Sequence, residues 1–171
     1  MAELRGIAPR IKIFSIRAKN ESGRGWLTDL LEASWGSVRM VSKGNLYDVR
    51  DQEGLVAEIN GEPAGILLYN IAGDDCEIRL LESYRRNIGV GAGLIAAVKE
   101  AAKRSGCRRL WVVTTNDNTN AVRFYQKNGF RLCAIRIDVL KESRKLKPEI
   151  PETGYDGIPL RDEIELDMKL N

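Results

Sequence analysis

The chain has no histidine among its 171 residues. That absence excludes Ser-His-Asp hydrolysis, Cys-His chemistry, HExxH metalloprotease sites and imidazole proton relays. Any catalysis must run on carboxylates, tyrosine, lysine, cysteine, backbone dipoles or water. Cysteine is scarce too. Cys76, Cys107 and Cys133 are odd in number, far apart and form no CxxC pair, so neither a disulfide framework nor a metal site is expected. A reducing cytoplasm is the expected compartment, and each cysteine reads as a small apolar filler. No apolar run approaches the ~20 residues of a membrane span. The early charges Glu3 and Arg5 are unlike a secretory leader, so no membrane partner is expected. A charge excess of one sign is also missing, the net being +3. The densest basic stretches, Lys103-Arg104 with Arg108-Arg109 and Arg144-Lys145, lack interleaved aromatics, and no nucleic-acid partner is expected.

What is present is ordinary globular material: 43% hydrophobic and 30% charged residues, enough for one core in a single domain spanning 1–171. Ile11 to Ala18 alternates and predicts a first strand. Trp26, Leu27, Leu30, Leu31 and Trp35 predict a helix over 25–35, with Gly36 as its stop. Two apolar runs flank Asn60-Gly61, a strong hairpin signal, and a turn at Ala72–Asp75 leads into a third strand at 76–81. The middle of the chain therefore predicts an antiparallel meander. Leu94, Ile95, Val98, Ala101 and Ala102 form the apolar stripe of a helix that Ser105-Gly106 ends. The run Leu110 to Thr115 predicts a strand buried on both faces beside a parallel neighbour. A second helix begins at a capping Asn118 and closes at Gly129. Phe130–Ile137 alternates, 138–147 predicts a short helix, 148–159 a loop rich in proline and glycine, and 163–170 a closing strand. The acids Asp156, Asp162 and Glu163 read either as solvated loop residues or as a site suited to a cationic amine.

The informative stretch is Leu81-Glu82-Ser83-Tyr84-Arg85-Arg86-Asn87-Ile88-Gly89-Val90-Gly91-Ala92-Gly93. Glycines between a strand end and a helix start let backbone N–H groups close around an anion, and the helix dipole adds about half a positive charge there. Arg85 and Arg86 can add charge-assisted bonds to a phosphate. No Lys-Ser/Thr follows, as a P-loop requires, and Leu94 stands where a dinucleotide fingerprint needs its third glycine. Coenzyme A needs only one such β-loop-helix.

These residues resemble a known family. Arg86-x-x-Gly89-x-Gly91 is similar to the [Q/R]xxGx[G/A] signature of the GNAT acetyltransferase superfamily. Asn118-x-x-Ala121-x-x-x-Tyr125-x-x-x-Gly129-Phe130 resembles that family's N-x-x-A-x-x-x-Y-x-x-x-G-F segment. The resemblance implies a mixed, mostly antiparallel central sheet flanked by helices, with one β-loop-α-β unit for CoA. The resemblance transfers nothing to about 138–160, which is expected to be a loop insertion near the acceptor site. The implied activity is direct transfer of an acetyl group from acetyl-CoA, as co-substrate, to a small-molecule or peptide amine, without a metal. In that reading the cofactor-binding positions are Leu81 (through its backbone), Arg85, Arg86, Asn87, Ile88, Gly89, Val90, Gly91, Ala92, Asn118 and Asn120. Tyr125 would protonate the departing thiolate, its alternative being a core tyrosine. Glu82 is the candidate base, its alternative being a loop residue paired with Arg85. A CoA-sensing module without transfer and a nucleotide-binding protein are the rival functions, and a homodimer is left open.

Overall fold

The computed structural model describes residues 10–17, 38–85 and 87–171, together with 25, 28, 29 and 31–33, which are helical. The expectations for Trp26, Trp35 and Arg86 lie outside the described residues. Nine strands are described: β1 (Ile11–Arg17), β2 (Arg39–Ser42), β3 (Asn45–Asp48), β4 (Glu53–Ile59), β5 (Glu62–Ala72), β6 (Asp75–Ser83), β7 (Arg109–Thr115), β8 (Arg131–Arg136) and β9 (Glu163–Lys169). The helices used below are α1 (Val90–Arg104), α2 (Thr119–Lys127) and α3 (Val139–Leu146).

Seven strands form one sheet in the order β1-β4-β5-β6-β7-β9-β8, and β2 and β3 form a separate hairpin. Every neighbouring pair in the large sheet is antiparallel except β6 and β7. The β4–β5–β6 meander is as expected, with Asn60 (φ 55°) and Gly61 (φ 85°) in the left-handed conformations that a tight hairpin turn requires. The same chemistry at Lys43 (φ 52°) and Gly44 (φ 74°) joins β2 to β3, a hairpin the sequence reading passed over.

Two apolar layers sandwich the sheet. On one face Leu55, Leu67, Ile78, Val112 and Leu166 pack with Leu94, Ile95 and Val98 of α1 and with Tyr125 of α2. On the other, Val56, Ile66, Leu68 and Leu80 pack with Val49 and Leu31. Helix α1 carries the predicted stripe because its apolar residues recur at helical spacing. Gly65 lets it lie close: a Cβ there would sit 2.6 Å from Val90 Cγ1 and 2.8 Å from the Glu82 carbonyl oxygen.

Three expectations are corrected. β7 is not buried on both faces, since only Leu110 and Val112 are fully buried along it. It pairs with β6 over only four residues and otherwise with antiparallel β9. Its alternate residues thus face a polar layer, which a hydrophobic run of this length conceals. Cys133 is exposed rather than a core filler, whereas Cys76 and Cys107 are buried. Asp162 and Glu163 are not solvated loop acids but are buried, because β9 lies inside the sheet, between β7 and β8.

Candidate active site

The site begins where β6 and β7 part. Their parallel pairing runs from Asp75 with Arg109 to Ile78 with Val112 and stops there. β6 then continues alongside β5 to Ser83, and β7 continues alongside β9 to Thr115. A bulge helps to force the divergence. Leu68 faces Leu80 and Tyr69 faces Ile78, so Arg79 is an extra residue that bends β6. Beyond Ile78 the β7-facing edge of β6 has no strand partner, and a cleft of about 680 Å³ occupies the gap.

At its helix end the cleft meets the main chain at the start of α1. Gly89, at φ 89°, is the N-terminal cap of α1 and makes no side-chain cap. The first bond into the helix runs from Gly93 N–H to the Gly89 carbonyl (2.9 Å). The N–H groups of Val90, Gly91 and Ala92 therefore precede intrahelical pairing. A 15-residue helix directs its positive dipole end at the same place. Gly91 is close-packed: a Cβ would lie 3.0 Å from Phe124 Cζ. These amides form a cradle that fits a diphosphate.

Of the residues expected here, Leu81, Arg85, Asn87, Gly89, Val90, Gly91, Ala92, Asn118, Asn120 and Tyr125 line the cleft. Ile88 is exposed beside it, and Glu82 is not among the lining residues. Asn118 caps α2, its Oδ1 accepting from Ala121 N–H at 3.0 Å. Tyr125 is buried, 6% exposed, with its ring edge-on to Phe124 and Phe130, each at 5.3 Å between centroids. Burial pushes its phenol pKa well above the usual value, so the hydroxyl keeps its proton.

Several lining residues lie outside the two family-like segments. Asp117, directly after β7, is buried and accepts from Tyr155 N–H (2.9 Å) and from the Thr115 hydroxyl. Gly154 lies so close that a Cβ would meet Asp117 Oδ2 at 1.9 Å. Tyr155 and Asp156 of the 148–159 loop thereby reach the cleft. Arg144 fastens the same loop, donating to the carbonyls of Ile150 (3.2 Å), Pro151 (2.6 Å) and Leu160 (2.6 Å). Only the glycines at 154 and 157 hinted at such close approach.

This sheet, with its parallel pair parting above a glycine-capped helix, is the architecture of solved acetyltransferases. An IAA acetyltransferase from Bacillus cereus ATCC 14579 superposes with a TM-score of 0.68 at 24% identity, covering 94% of this chain and 100% of that one. A GNAT family acetyltransferase from Elizabethkingia anophelis, solved with acetyl-CoA bound, gives 0.66 at 25% identity over 94% and 98% of the two chains. The chain belongs to the Acetyltransferase (GNAT) family, whose model matches residues 21–130. The uncharacterised protein YdhI of Bacillus subtilis (strain 168) is 40% identical over 146 residues, covering 85% of this chain and 91% of that one. Among the described residues no helix is long and apolar enough to cross a membrane.

Proposed function

We propose that the protein is an N-acetyltransferase that moves an acetyl group from acetyl-CoA directly onto a primary amine. The observation that carries this reading is the cleft between the parting strands, with a glycine cradle at one end and a protonated, buried tyrosine in its wall. The cradle of Gly89–Ala92 and the exposed Arg85 suit the donor's diphosphate. The unpaired edge of β6, including the Leu81 backbone, suits the thioester arm and offers main-chain dipoles to the oxyanion. The amine nitrogen attacks the thioester carbon, the C–N bond forms and the C–S bond breaks. The thiolate takes the phenol proton of Tyr125, which recovers one from the acylated nitrogen.

Glu82 has little support as the base, since it does not line the cleft. A CoA-binding module without transfer would need only the donor groove. The second cavity described below, which shares wall residues with the first, favours transfer.

The test is Tyr125→Phe. With an amine that wild type acetylates, kcat should fall on the order of a hundredfold while acetyl-CoA affinity by calorimetry holds. Full turnover in that variant removes the tyrosine from the mechanism. Wild type that ignores acetyl-CoA removes the transferase reading.

A further inference from the structure

On the sheet face opposite α1, a second cavity of about 270 Å³ lies against the β2–β3 hairpin. The two cavities share seven wall residues, among them Ile78, Arg79, Val113 and Thr114 at and just beyond the parting of β6 and β7, and Tyr155 of the 148–159 loop. The shared walls set the two cavities side by side at that gap.

Two carboxylates of β9 have opposite circumstances there. Glu165 is saturated: Lys43 Nζ lies at 3.0 Å, Arg109 Nη2 at 2.6 Å, and Arg136 Nη2 also bonds it. Glu163, two residues earlier and only 2% exposed, lines the cavity. Its Oε1 accepts the Lys43 backbone N–H at 3.2 Å, but its buried Oε2 has no hydrogen-bond partner among the described residues. Among the described residues the nearest cation, Arg136 Nη1, is 3.9 Å away, outside hydrogen-bond reach. Glu77, the other acid in the cavity wall, already pairs with Arg79 at 2.8 Å. A buried carboxylate oxygen without a donor is costly, and an ammonium brings three donors.

We infer that this cavity is the acceptor site, and that Glu163 Oε2 receives the ammonium of a small, singly charged primary amine with a compact apolar body and takes its proton. The inference rests on the transferase reading above. The volume falls below the ~300–1,000 Å³ of sites for drug-sized ligands. Met40, Val41, Leu140 and Ile150 supply apolar wall. Arg79 and Lys147, also in the wall, oppose a second positive charge.

The proton balance closes. The ammonium gives one proton to Glu163 and becomes a nucleophile. The nitrogen gives a second to the Tyr125 phenolate after C–N formation and C–S cleavage, and Glu163 returns its proton to solvent. The groups facing Glu163 are Lys43 and Tyr47 from the hairpin, Glu77 from β6, Arg136 from β8 and Glu165 from its own strand. Burial pushes the Glu163 carboxyl above the usual range, against the pull of Lys43 and Arg136, which suits a proton acceptor.

The experiment compares wild type, Glu163→Gln and Glu163→Asp. It measures acetyl-CoA affinity by calorimetry and thiol release with phenethylamine, isopentylamine, spermidine and a tripeptide. The expected result is release with at least one monoamine. In Glu163→Gln, kcat/KM should fall on the order of a hundredfold, the acidic limb of its pH profile should disappear, and acetyl-CoA affinity should hold. Glu163→Asp should recover part of the loss and keep the limb. Three outcomes overturn the inference: equal turnover in Glu163→Gln, release only with spermidine or the tripeptide, or no release with any amine although acetyl-CoA binds. Absence of acetyl-CoA binding by wild type instead overturns the transferase reading beneath it. If Glu163→Gln does not fold, Val41→Trp decides by filling the same cavity from β2. Amine turnover must then fall with acetyl-CoA affinity kept, and unchanged turnover overturns the inference.

Discussion

On the helix face of the gap between β6 and β7, the surface includes the unpaired main-chain amides at the start of α1; on the opposite face it is rich in charged side chains. The first face needs only glycines at a helix start and a close-packed Phe124. The second joins Lys43, Glu77, Arg79, Arg109, Arg136, Glu163 and Glu165, drawn from the β2–β3 hairpin and four strands of the large sheet. A surface of backbone amides suits a group common to every turnover, such as a diphosphate. A surface of side chains can be retuned one residue at a time, which suits a partner that varies between relatives.

The contrast can be broken from either side. The largest effect is expected from Gly91→Val, whose branched side chain must displace the Phe124 ring that a Cβ would meet at 3.0 Å. Acetyl-CoA affinity by calorimetry should drop by about tenfold or more, a loss of at least ~1.4 kcal/mol. Unchanged affinity would place diphosphate recognition outside the helix start. Gly154→Ala should act in the other direction. Its Cβ collides with Asp117, so the loop carrying Tyr155 must shift at a cost of about 1–3 kcal/mol. Thermal unfolding should show that loss, and amine KM should rise by more than acetyl-CoA affinity falls, since Tyr155 walls both cavities. A parallel loss of acetyl-CoA affinity would mean that the two sides are not separable.

The smallest effect is electrostatic. Burial alone would raise the Glu165 carboxyl, but hydrogen bonds from Arg136, Arg109 and Lys43 outweigh it and hold its pKa at about 2 against an ordinary 4.5. The stabilisation is therefore fully present above about pH 4.5 and is lost as pH falls towards about 2. Urea midpoints of wild type and Glu165→Gln should differ above pH 4.5 and converge near pH 2. A difference that persists at the lowest pH would assign the stabilisation to packing rather than charge.

The same contrast explains what could be read from the chain in advance. The meander, α1, α2 and the glycine loop depend on local rules of periodicity, turn chemistry and capping, so their residues announced themselves in order. Asn118 could be read as a cap because its acceptor bond reaches only to Ala121. Glu163, by contrast, owes its burial to the placement of β9 between β7 and β8, and its hydrogen bond comes from Lys43, 120 positions away. No spacing within the chain encodes such a meeting. Arg79 escaped notice for a related reason. A bulge exists only relative to a partner strand, and in isolation β6 alternates normally. The Lys43-Gly44 turn was legible by the rule that found Asn60-Gly61, but its short flanking strands carry little apolar signal.

The position of β9 also sets an order of assembly. During translation the β4–β5–β6 hairpins, α1 and β7 are all made before β9, whereas β8 has no ladder partner in the sheet until β9 emerges from the ribosome. A nascent chain can thus close its diphosphate cradle while still lacking the strand that brings Glu163. A chain stalled short of β9 would keep the glycine-capped start of α1 and Tyr125 but lack the carboxylate proposed above to take the ammonium proton.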